Sequence, residues 1–126
     1  MTVLDTVSTR GTRTGKTAAV CPADALEPNL GACVLLPDGR QVALFKVVDS
    51  ATGIDRIYAL SNIDPYMDAA VMSRGLVGEH RGEPTVASPL LKQVFRLADG
   101  ASLEDDGVVL DVFAVEIRDG EVVIGY

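Results

Sequence analysis

Asp-Gly occurs four times in this chain of 126 residues, at 38–39, 99–100, 106–107 and 119–120, and three of the four separate short apolar runs. Glycine accepts the positive φ that a tight reversal needs, and the aspartate before it bonds back to nearby backbone. Turns of this kind between short runs select antiparallel strands. Ala32–Leu36 and Gln41–Val48 flank Pro37-Asp38-Gly39-Arg40, where proline presets the turn and glycine takes the positive φ. Arg56–Leu60 and Val94–Leu97 alternate polar and apolar, as half-buried strands do. Val108–Arg118 is the clearest strand. Val108, Leu110, Val112, Ala114 and Glu116 share one face; Val109, Asp111, Phe113, Val115 and Ile117 share the other. Asp119-Gly120 then turns the chain into Glu121–Ile124. Helical patterning is weak: Ala23–Leu26, Tyr66–Arg74 and Pro89–Lys92 each hold a single turn at most, with Pro65 suited to a helix start. The expected class is all-β, an antiparallel sandwich or barrel.

Residues 1–17 are expected to be a flexible N-terminal tail, and residues 18–126 the β domain. The tail holds six threonines and carries Arg10, Arg13 and Lys16 against Asp5 alone. It lacks the apolar core of a secretory signal, and it lacks the helical apolar stripe that a transit peptide would show. No apolar run approaches the roughly 20 residues that span a bilayer. A cytoplasmic location is expected. The net charge is -7, which disfavours nucleic acid and anionic membrane as partners, because both attract positive charge.

The residues of a self-contained catalyst are scarce. The one histidine, His80, sits in Gly78-Glu79-His80-Arg81-Gly82 and reads as a solvated loop residue rather than the base of a Ser-His-Asp set. Asp105-Asp106 before Gly107 reads as a turn rather than an acid/base pair. No phosphate-binding glycine loop is present. Cys21 and Cys33 form no C-x-x-C pair and read as small, buried, inert apolar residues; spacing alone neither supports nor excludes a disulfide between them. One histidine also excludes any site that needs two imidazoles from one chain.

From Arg56 onward the sequence resembles a Rieske iron–sulfur domain. Asp64-Pro65-Tyr66 stands where that family has C-P-H, and Ser88-Pro89-Leu90-Leu91 stands where it has C-P-x-H. Gly75-Leu76-Val77 matches the loop between, Val94–Gly100 the strand and turn that follow, and Asp119-Gly120 the last hairpin. Rieske clusters are held by two cysteines on one iron and two histidines on the other. The equivalents here are Asp64, Tyr66, Ser88 and Leu91, and a leucine cannot ligate a metal. The resemblance therefore implies a Rieske-like fold without a cluster.

That combination is similar to the small subunit of assimilatory NAD(P)H-dependent nitrite reductase, over about residues 18–126, with Asn62-Ile63-Asp64-Pro65 and Gln93-Val94-Phe95 among the matching stretches. The resemblance implies a non-catalytic subunit with no cofactor of its own. Its partner would be a large subunit holding FAD, siroheme and an iron–sulfur cluster, which reduces nitrite to ammonium with electrons from NAD(P)H. In a Rieske domain the two ligand loops form an exposed tip. Tyr66, Met67, Met72, Leu90 and Leu91 are the candidate docking residues on such a tip, with Leu90 or Leu91 alternatively filling the space a cluster leaves. Apolar packing between the loops is the simplest substitute for the cluster's cross-link. The other reading is a stand-alone ligandless Rieske-like module that binds or regulates a different partner.

Overall fold

The middle of the molecule is built from strands that are apolar on both faces. In Gln41–Val48 the side chains of Val42 and Leu44 enter one hydrophobic cluster, while Ala43 and Phe45 enter another. Asp55–Ser61 divides in the same way, with Ile57 and Ala59 on one side and Tyr58 and Leu60 on the other. A sheet whose central strands are buried on both faces needs a layer on each side. The computed structural model describes residues 15–49 and 51–126 and shows both layers.

Eleven strands are present among the described residues. They are β1 (Thr17–Pro22), β2 (Ala32–Leu35), β3 (Gln41–Val48), β4 (Asp55–Ser61), β5 (Ile63–Asp64), β6 (Ala69–Ala70), β7 (Leu76–His80), β8 (Glu83–Ala87), β9 (Val94–Arg96), β10 (Val112–Arg118) and β11 (Glu121–Gly125). Single 3-10 turns, Ala23–Ala25 and Met72–Arg74, interrupt them. The main sheet runs β1-β11-β10-β4-β3-β2, all antiparallel, and β1 approaches β2, so the sheet curls toward a barrel. Leu36, Val42, Leu44, Ile57, Phe113, Val115, Val122 and Ile124 fill its inside. On the outer face of β3, β4 and β10 lie the β5–β6 hairpin and the β7-β8-β9 sheet, and Phe45, Leu60, Met72, Val86, Phe95, Leu97, Leu110 and Val112 form the second core there.

The face assignment of Val108–Arg118 holds: Phe113, Val115 and Ile117 pack into the barrel, while Val108, Leu110 and Val112 pack into the second core. The strand itself begins only at Val112. Before it, Leu110 N–H donates to Gly100 O at 2.8 Å and Asp111 O accepts from Ser61 N–H at the end of β4 at 2.8 Å, so this stretch ties the Gly100 turn to the sheet without being a regular strand. The sheet also starts earlier than the expected domain boundary. Thr17 already pairs with Gly125, whereas residues 1–14 of the expected tail lie outside the described residues. Leu76-Val77, read as loop, belongs to a strand, because its partner β8 supplies the ladder that its own sparse patterning does not announce.

Candidate functional site

Loop one leaves the barrel at the end of β4 and carries Asp64 and Tyr66; loop two follows β8 and carries Ser88 and Leu91. Asp64 closes β5 and is completely buried. Its Oδ1 accepts the backbone N–H of Tyr66 at 2.8 Å and of Met67 at 3.3 Å, which fixes the turn that Pro65 begins. Its Oδ2 accepts the hydroxyl of Ser88, itself buried. A buried carboxylate is costly unless its lone pairs are satisfied, and here both oxygens are engaged. Ser88 is held in turn by its N–H to Gln93 O at 2.8 Å and by its carbonyl, which accepts Lys92 N–H at 3.0 Å.

Two further clamps were not signalled as such by the sequence. Asn62, buried, donates to Gln41 Oε1 at 3.0 Å and accepts Ser73 N–H at 2.7 Å, bracing both ends of loop one against the barrel. The Tyr66 hydroxyl lies 3.2 Å from Ser102 Oγ and donates to Asp105 Oδ2 at 3.1 Å, while its ring sits 6.1 Å from that of Phe95. The Ser102 bond lowers the Tyr66 pKa; burial, then the Asp105 bond and charge, oppose it and prevail, so the phenol titrates above its usual range. Asp105 was read as a turn residue, and no pattern in the sequence points from it to Tyr66.

The four residues at the cluster-ligand positions do not fit a [2Fe-2S] group. Asp64 and Ser88 bond to each other, Tyr66 is tied to Ser102 and Asp105, and Leu91 has no donor atom. Among the described residues no group of three or more His, Cys, Asp or Glu side chains is placed to hold a metal ion.

The expected docking residues divide. Met67, Leu90 and Leu91 are 48%, 44% and 54% exposed, and Tyr66 is half-buried. Met72 is wholly buried in the second core and is corrected to a packing residue: the 3-10 turn that it opens directs it inward. Leu90 and Leu91 do not fill a vacated space, because the Asp64–Ser88 pair already bridges the loops there. The bridge is polar rather than the apolar packing expected. His80 is exposed at the end of β7, cross-strand from Glu83. Cys21 and Cys33 are both free thiols, and Cys33 is exposed rather than buried.

Residues 17–125 match the family of Rieske-like [2Fe-2S] domains. The chain is 45% identical over 103 residues to the nitrite reductase (NADH) small subunit of Escherichia coli strain K12, covering 82% of this chain and 91% of that one. The chain belongs to the nitrite reductase small-subunit family. A crystal structure from Mycobacterium tuberculosis, assigned to the NADH-dependent small subunit, superposes with a TM-score of 0.81 at 40% identity, covering 88% of this chain and 95% of that one. The small-subunit sequence also recurs inside a larger chain. A Klebsiella oxytoca protein named nitrite reductase [NAD(P)H] large subunit is 38% identical over 107 residues, which is 85% of this chain but 10% of that one. No helix among the described residues is long and apolar enough to cross a membrane.

Proposed function

We propose that the chain is a non-catalytic small subunit of nitrite reductase that docks on the large subunit and supports its NAD(P)H-dependent reduction of nitrite to ammonium. The observation that carries this reading is the conjunction of small-subunit kinship over most of the chain with a hydrogen-bonded Asp64–Ser88 pair at the ligand positions. Electron transfer through this domain is not part of the reading. FAD, siroheme and an iron–sulfur cluster belong, on this view, to the large subunit, and the complex works in the cytoplasm. The Klebsiella oxytoca chain supports the partnership, since one polypeptide there holds a stretch like this one within a large subunit. Met67, Leu90 and Leu91, with the edge of Tyr66, form the docking tip: exposed apolar side chains held on loops that are hydrogen-bonded in place.

The test is NAD(P)H-dependent nitrite reduction by the large subunit with and without this chain, with co-purification followed on the same preparations. The chain is expected to co-purify and to raise the rate without bringing iron. If it neither binds nor changes the rate, the reading is wrong, and a stand-alone module with another partner takes its place.

A further inference from the structure

The two ends of the β domain meet. Thr17 pairs with Gly125, and Tyr126 N–H donates to Lys16 O at 2.9 Å. They meet at one particular end of the barrel. The Arg40 guanidinium lies 5.3 Å from the Phe113 ring and 5.9 Å from the Tyr126 ring. Cys33 Sγ lies 3.5 Å from Asn62 Nδ2, at the root of loop one. Gly39, Arg40, Gln41, Ser61, Ile63, Asp111 and Phe113 line a hollow of about 180 Å³ at this same end. Leu35, one residue before the β2–β3 turn, is 67% exposed there. The opposite end carries the β3–β4 and β10–β11 turns, with Ile54 exposed.

In the Klebsiella oxytoca chain the remaining nine-tenths must join the matching stretch at one of its ends or both. Because the two ends lie side by side in this fold, either junction leaves the domain from the same end of the barrel. We infer that the large subunit seats on this end of the domain, over Leu35, Cys33, Arg40 and Ile63, so that its contact reaches beyond the loop tip and leaves the Ile54 turn free. The inference rests on the proposed partnership with the large subunit. Its occupant is large-subunit surface offering apolar side chains to Leu35 and Ile63, beside an Arg40 whose guanidinium is already paired with Asp38 at 2.8 Å.

Thiol footprinting of the co-purified complex tests it. Native Cys33 is the near-end probe, and I54C in a Cys33→Ser background is the far-end probe. Alkylation of Cys33 is expected to slow about tenfold or more in the complex, while I54C reacts as in the free chain. Leu35→Asp is expected to weaken association about tenfold or more, the size of a central interface residue, and Ile54→Asp to leave it unchanged. A complex that forms with Cys33 still fully reactive, or with I54C protected instead, overturns the seating but not the partnership. Failure of the unmodified chain to form any complex overturns both.

Discussion

Removing the Ser88 hydroxyl leaves a buried carboxylate oxygen of Asp64 without its side-chain partner. Ser88→Ala is therefore expected to cost about 1–3 kcal/mol, the desolvation penalty of an orphaned buried acceptor, read as a lowered urea midpoint at unchanged slope. A double-mutant cycle with Asp64→Ala should return a coupling of about 0.5–3 kcal/mol, because the two side chains touch. Tyr66 gives a pH signature. Its folded pKa is raised, so its contribution to stability is in place below the ordinary tyrosine pKa and is lost as pH climbs through the raised one. The stability gap between the native chain and Tyr66→Phe should accordingly narrow as pH rises past about 10, followed by urea unfolding at each pH. The positions of these residues were legible from their prolines and spacing. Their bonds were not: Asp64 to Ser88 and Tyr66 to Asp105 join segments far apart in the sequence that only the tertiary fold brings together.

Identical dipeptides do different work in different elements. Gly107 has φ +90° and open space around the position of a Cβ, so Gly107→Ala meets only backbone strain, about 1 kcal/mol. Gly100 has φ +75°, and a Cβ there would lie 2.1 Å from Leu110 O. Gly100→Ala must also push apart the contact that brings Leu110 N–H to Gly100 O, adding about 1–3 kcal/mol. Paired thermal melts should rank the two variants in that order. As turns, all four Asp-Gly pairs were visible in the sequence, as were the strands around the central sheet. What escaped notice were β1, the two-residue β5 and β6, β7 and β8; in β1 and β7, both edge strands, the alternation is diluted by threonine, glycine and exposed positions. Such strands are specified mainly by the partner they pair with, which is a tertiary fact.

Across the whole molecule, the two cores share the backbone of β3, β4 and β10, so neither can dissolve while the other stays intact. One cooperative transition is expected, with far-ultraviolet circular dichroism reporting the barrel and tyrosine fluorescence, in a chain carrying Tyr58→Phe and Tyr126→Phe so that Tyr66 is the remaining tyrosine, reporting the loops; the two curves should coincide. Separated midpoints would mean that the loops melt alone. The all-β class was readable from turn chemistry and alternation, and the division into two cores was implicit in the doubly apolar β3 and β10. The end of the barrel proposed to meet the partner was not readable, because it depends on where the first and last strands come together.

The bridge between the loops consists wholly of atoms the ribosome supplies. Domains whose loops are pinned by an inorganic group reach their final shape only after that group is delivered, so their abundance follows the cell's iron and its assembly machinery. Asp64 and Ser88 instead close the loops with side chains of the polypeptide itself. Closing its loops thus asks for no delivered group, and on the proposed reading the abundance of this subunit is expected to stay unchanged under iron shortage, which quantitative blotting of iron-starved cells checks.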